Sequence, residues 1–267
     1  MYLVTVELHR LPFSFAIASS IFGATLLFYN YHRLFRKEAI YQHVASERHR
    51  WILENHSLLF FLALTGAAMA LAGIWPFLSA QLFIRLSPFL ALAILYVIPI
   101  WREEGRWLRL RDLPFIKIFL VAAVWAFVTV ALPFIATQAN WLPNRAEAFT
   151  LLQRFVFIFA ITLPFDIRDL EHDRANGVKT IAASLGIDAI KNLSRALLAL
   201  VALIGFGAYS LGDYQMGHAL ALLVSCATTG SLISKADAQS DEWFFAGWLD
   251  GSMLDQLFWI WLLGSLF

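Results

Sequence analysis

Asp166, Asp169 and Asp173 fall within the stretch "DIRDLEHDR", directly after the apolar run "FVFIFAITLPF". On a helix turning about 100° per residue they lie within about 60° of one another and form a single carboxylate stripe. Glu171 and His172 point elsewhere. Like charges on one stripe repel, and the repulsion grows near a membrane, where the effective dielectric constant is low. Something positive must compensate. Arg168, Arg174 and Lys179 are close in sequence, and the other candidate is a divalent cation. Oxygen-only ligands on an open stripe suit Mg2+, which keeps part of its water shell and often bridges carboxylates to substrate phosphates. The alternative is a solvated helix end whose carboxylates pair with neighbouring basic residues.

Few other residues have the types or spacing for chemistry. Asp250 and Asp255 stand in "WLDGSMLDQLFW", with Asp255 inside the last apolar segment. Intramembrane acids face a cavity or a partner, so Asp255 is either an acceptor-side base or a packing partner for a basic residue. His218 and Gln215 read as polar packing groups. The single cysteine, Cys226, reads as a buried small hydrophobe, and one cysteine excludes an intrachain disulfide. No Cys/His zinc spacing, Gly-rich nucleotide loop or Ser-His-Asp arrangement is present. A net charge of +1 gives no sign of a nucleic-acid partner.

The elements that hold the stripe are membrane helices. The chain is 60% hydrophobic and 15% charged, against about 25% charged for a soluble domain, and its mean hydropathy is +0.68. Residues 11–31, 57–84 and 118–144 contain no Asp, Glu, Lys, Arg or His, and a bilayer-spanning helix needs roughly 20 such residues. The N-terminal apolar run is long, lacks a basic leader and is followed by further spans, so it is expected to be retained rather than cleaved as a signal peptide. Eight helices are predicted, near 11–30, 57–78, 84–101, 115–137, 148–165, 189–211, 215–233 and 248–267. Arg85 and Arg154 intrude near helix ends, where they are expected to snorkel.

With eight spans, the segments 32–56, 102–117, 166–195 and 234–247 share one side and carry sixteen of the twenty Lys and Arg residues. The positive-inside rule places that side in the cytoplasm, which suits an inner (cytoplasmic) membrane protein with every charged motif on one face. A polar segment ends the first helix near residue 30 and another ends the fifth near residue 166. The expected fold is therefore an all-α polytopic transmembrane bundle, one domain over residues 1–267. Its two pseudo-repeated four-helix halves would surround a central cavity open to the cytoplasmic face.

The longer stretch "DIRDLEHDRANGVKTIAASLG" (166–186) closely resembles the second aspartate-rich motif of the UbiA-type intramembrane prenyltransferase superfamily. The motif positions are Asp166, Asp169, Asp173, Gly177, Lys179, Thr180, Leu185 and Gly186. The segment matching the first aspartate-rich motif is "NYHRLFRKE" (30–38), where Asn30 fits and only one carboxylate of three, Glu38, remains. The resemblance implies a nine-helix fold, so the family's opening helix is expected to be missing from this chain or to lie before its assigned start. It also implies that an isoprenyl group is transferred from a polyprenyl diphosphate to an aromatic or other lipophilic acceptor. Asp166, Asp169 and Asp173 would be the catalytic residues and would bind the cofactor Mg2+.

Ionising an allylic diphosphate calls for cations on the leaving group and a dry, aromatic-lined cavity for the allylic cation. Asn30, Arg33 and Lys37 share a helical stripe where the eroded motif stands, and fixed cations there could bind diphosphate in place of one Mg2+; ordinary topology-setting basic residues are the competing reading. Arg109, Arg111 and Lys117 in the loop "WREEGRWLRLRDLPFIK", together with Tyr96, Arg174 and Lys179, complete the expected substrate-binding set. Asp112 reads as a helix cap. Partners would be the prenyl diphosphate, a lipophilic acceptor and membrane lipids. A non-catalytic isoprenoid- or lipid-binding protein of the same fold is the alternative, and a small transporter a third.

Overall fold

The structure, a computed structural model, describes residues 1–34, 47–103, 106–109, 116–138, 141–170 and 181–267. Each of the eight predicted segments is helical. They are α2 (Phe15–Leu34), α4 (His56–Ile74), α5 (Ala80–Val97), α6 (Ile116–Ala126) with its continuation α7 (Leu132–Thr137), α8 (Arg145–Thr162), α11 (Ile187–Ser210), α12 (Met216–Ser234) and α13 (Asp250–Gly264). Four short helices were not foreseen: α1 (Tyr2–His9), α3 (Glu47–Glu54), α9 (Phe165–Arg168) and α10 (Ile181–Leu185). Among the described residues the one departure from helix is a hairpin of β1 (Pro99–Glu103) and β2 (Arg106–Arg109), within a loop expected on the basic side.

Five helical runs are long and apolar enough to cross a membrane: His56–Phe77, Ile116–Thr137, Arg145–Arg168, Ile187–Ser210 and Met216–Ser234; Phe15–Tyr31 is a shorter apolar helix. The protein is an all-α integral membrane bundle.

The chain forms two compact units, Phe13–Phe83 and Met1–Pro12 with Ile84–Phe267. In the first, α2 and α4 meet through glycines. A Cβ at Gly23 would lie 2.5 Å from the Ala70 nitrogen, and one at Gly66 would lie 2.7 Å from the Gly23 carbonyl. Only small residues allow backbones this close, and dispersion then supplies the attraction that lipid cannot. Ser20 Oγ donates to the Ala70 carbonyl at 3.1 Å across the same contact.

In the second unit the packing order is α6, α8, α11, α12, α13, and α1 closes the series by touching both α13 and the π-helical turn Phe127–Ala131 that joins α6 to α7. A π turn shifts the backbone pairing, and Thr5 Oγ1 of α1 donates to the Thr129 carbonyl within it at 2.8 Å. Asn144 begins α8 with a capping box: Glu147 N–H donates to its side chain at 2.9 Å, and the Asn144 N–H donates to Glu147 Oε2 at 3.0 Å. Tyr214, in the α11–α12 connection, shares a 2.7 Å hydrogen bond with Thr150 Oγ1. Burial pushes its phenol up to about 12, so it remains neutral.

Two expectations need correction. Arg154 does not snorkel: it is fully buried on the inward face of α8 and donates to the Met1 carbonyl at 3.0 Å and to the Met1 sulfur. Asp255 has no basic partner among its described contacts. Thr228 Oγ1 donates to it at 2.6 Å and Trp259 Nε1 at 3.0 Å, so it is a packing acceptor between α12 and α13. Cys226 is buried, as expected.

Candidate active site

Pro164 shapes the end of the fifth span. It lacks an N–H and cannot extend the α8 ladder, so the chain steps through Leu163 and Pro164 and restarts as the single turn α9, Phe165–Arg168. Three apolar residues anchor this step: Leu163 and Ile167 are fully buried and Leu170 nearly so, in a cluster with Ile118 of α6, Ile181 of α10 and Ile190 of α11. The polar residues between these anchors are thereby fixed in direction. Asp166 points inward and is 4% exposed. Asp169 is the C-cap of the turn at φ −85° and ψ 0°.

The same cluster delivers a cation. Ile118 packs against the motif, and its neighbour Lys117, in the first turn of α6, brings Nζ to 4.0 Å from Asp166 Oδ1. That distance is at the limit of an ion pair and longer than a hydrogen bond. Lys117 remains about half exposed, so its ammonium faces both the buried carboxylate and whatever binds outside it.

Asp169 is held differently. Arg168 Nε donates to its Oδ1 at 2.8 Å and Nη2 donates to its Oδ2 at 3.2 Å, a two-pronged guanidinium–carboxylate pair. The guanidinium carbon lies 5.1 Å from the centre of the Phe165 ring and 5.7 Å from that of Phe245, and the two rings touch at 5.7 Å. Nη1 reaches Glu242 Oε2 at 3.5 Å, and Asp250 lies within electrostatic reach of the same group. Phe245 belongs to a π-helical stretch, Phe244–Leu249, that leads into α13.

Of the expected site residues, the structure brings together Asp166, Asp169 and Lys117. Asn30 is buried near the end of α2 in the other unit, where its amide donates to the Leu26 carbonyl at 2.7 Å. Arg33 lies on α2, Tyr96 on α5 and Arg109 on β2, each described in its backbone position alone. Lys37, Arg111, Asp112, Asp173, Arg174 and Lys179 lie outside the described residues. Sequence reasoning named Arg168 only as a neighbouring charge and gave Glu242 and Phe245 no role. The signal was an arginine between two motif aspartates and the acidic-aromatic run "DEWFF".

The donor chemistry fits Mg2+. Two carboxylates one turn apart offer hard oxygen ligands, and Mg2+ is commonly held by one or two carboxylates with water and phosphate oxygens completing the shell. Among the described residues no group of three or more His, Cys, Asp or Glu side chains is gathered, so the described part of the stripe would offer such an ion two carboxylates. An apolar groove of about 740 Å3, lined by Arg85, Phe127, Trp141, Leu152 and Phe155, runs along the N-terminal half of α8. Neither Asp166 nor Asp169 lines it, and it carries no acid.

A family model described as the UbiA prenyltransferase family matches residues 49–263, which include the 166–186 stretch and exclude the 30–38 segment. No curated protein and no solved structure matches the chain.

Proposed function

The chain belongs to the UbiA prenyltransferase family, and on that premise we propose that it transfers an isoprenyl group from a polyprenyl diphosphate to an aromatic or other lipophilic acceptor. The observation that carries this reading is the end of the fifth span: a buried Asp166, Asp169 one turn on, and a Lys117 ammonium supplied by a separate helix. Such a mouth can hold a dianionic headgroup while the apolar tail lies among helices.

In this reading Asp166, Asp169 and Asp173 hold Mg2+, which when bound offsets charge on the departing diphosphate. Lys117 contributes a fixed positive charge at the same place, and Lys179, Arg174, Arg109 and Arg111 add to it from adjacent loops. Asn30, Arg33, Lys37 and Tyr96 are assigned to substrate binding. Burial of Asp166 matters because an electrostatic contact strengthens where water is excluded. The whole of residues 1–267 acts as one domain in the cytoplasmic membrane, with the motif loops facing the cytoplasm.

The test is product formation. Purified protein in lipid nanodiscs is given radiolabelled geranylgeranyl diphosphate, Mg2+ and a panel of quinone-ring, tetrapyrrole and lipid-alcohol acceptors. Metal-dependent release of diphosphate with labelled lipophilic product supports the reading. A second reading, a non-catalytic isoprenoid binder, is favoured by the 30–38 segment, where one acidic position of three survives. It requires retention of the isoprenoid without diphosphate release, equally with and without EDTA.

A further inference from the structure

Arg168 sits where two claims on one cation meet. Its Nε and Nη2 cover both oxygens of Asp169 at 2.8 and 3.2 Å. Its third nitrogen, Nη1, points to Glu242 at 3.5 Å, and Asp250 lies within electrostatic reach of the guanidinium. The guanidinium rests on an aromatic shelf of Phe165 and Phe245, with the ring centres 5.1 and 5.7 Å away. Aromatic rings attract a guanidinium without the directional demand of a hydrogen bond. Arg168 thereby joins the carboxylate of the motif to Glu242, in the α12–α13 connection, and to Asp250, at the start of α13.

A guanidinium fork on both oxygens and a divalent cation on the same carboxylate would stand within a few ångströms of each other and repel. One must yield. The structure also shows where the displaced charge can go: Nη1 already reaches Glu242 Oε2 at 3.5 Å, and Asp250 lies within electrostatic reach of the same guanidinium.

We propose that Arg168 is a displaceable counter-cation for Asp169: it neutralises the carboxylate when no metal is bound and moves along the Phe165–Phe245 shelf to Glu242 and Asp250 when a divalent ion takes Asp169. Arg168 is thus a positioning residue, not a catalytic one. It keeps the aspartate aimed and charge-balanced in the empty state. It also couples metal entry to the π-helical start of α13, because its second resting place lies beside that segment. This rests on the assignment of Asp169 as a metal ligand.

The experiment measures Mn2+ binding, with no substrate present, by electron paramagnetic resonance on the full chain in detergent micelles. Asp169→Asn is expected to weaken binding strongly. Arg168→Gln is expected to tighten it about fivefold or more, the scale of a modest coupling between sites. Arg168→Lys keeps the charge but cannot form the fork, so it is expected to tighten binding to a smaller degree. Glu242→Gln and Asp250→Asn should each weaken binding about threefold or more, and that loss should vanish in an Arg168→Gln background.

The outcomes separate the two claims. If Asp169→Asn leaves Mn2+ binding unchanged, the metal assignment and this inference both fall. If Asp169→Asn abolishes binding but Arg168→Lys matches the wild type, the fork does not compete with the metal and this inference alone falls. Persistence of the Asp250→Asn effect without Arg168 would reduce it to a general field and also overturn the proposal.

Discussion

The two described aspartates differ in their surroundings, and their substitutions should differ accordingly. Asp166 is buried with the Lys117 ammonium at 4.0 Å, whereas Asp169 is half enclosed by an arginine fork. Lys117→Ala removes a cation that another helix brings to Asp166. Because Lys117 is about half exposed, screening limits the loss, and isoprenyl diphosphate affinity should fall about fivefold, roughly 1 kcal/mol. Lys117→Arg should retain most of it. Titration calorimetry with the diphosphate checks this, and unchanged affinity in Lys117→Ala would remove that residue from the site. The carboxylates themselves were legible in the sequence, because three aspartates after an apolar run have no packing reason to be there. Arg168 was harder to read. Its partners are adjacent in sequence on one side, Asp169, and 74 positions away on the other, Glu242, and no spacing rule reports the second.

At the scale of elements, the apolar runs of 19 to 24 residues were legible because hydropathy alone defines them. The short elements were not. α9 exists because Pro164 breaks the α8 ladder and buried Ile167 restarts it, which is a tertiary effect. The inward face of α8 was misjudged at Arg154 because a charge in an apolar helix reads as a snorkelling residue until its burial is seen. Two predictions belong here. Gly23→Leu forces a side chain into the Ala70 backbone, and overpacking of this kind costs about 1–3 kcal/mol; thermal unfolding in detergent should show the loss, and an unchanged midpoint would mean that α2 and α4 do not pack as described. The other concerns α1, which is tied to α8 through His9 Nε2 and Thr150 Oγ1 at 2.8 Å. Burial, aided by Arg154 and opposed by Glu147, holds the His9 imidazole below its ordinary value. The unfolded chain therefore binds a proton there more readily than the folded one. Stability that His9 leaves intact above an unfolded pKa of about 6.5 is lost as pH falls below it, until the folded value is passed. Melting curves from pH 7.5 to 5 should show this decline in the wild type and a shallower one in His9→Gln; equal slopes would contradict it.

For the whole molecule, large apolar side chains remain exposed along the spans, among them Phe60, Phe61, Leu64 and Leu71 on α4. In a soluble protein such a face would aggregate, whereas in a bilayer it is the solvated surface. The positive-inside rule gives the orientation we propose: with eight spans, sixteen of twenty basic residues fall on the motif side, so Arg174→Cys in a Cys226→Ala background should react with an impermeant maleimide only from the cytoplasmic face. Labelling from the opposite face would invert the topology. The central claim is that the carboxylates at the end of the fifth span hold a diphosphate through a metal. The most direct measurement is binding of geranylgeranyl diphosphate to the purified protein with Mg2+, with EDTA, and with Mg2+ in Asp166→Asn. The account predicts tight binding in the first condition and a loss of about tenfold or more in each of the others. Equal affinity in all three would contradict it and leave the aspartates without a part in ligand binding.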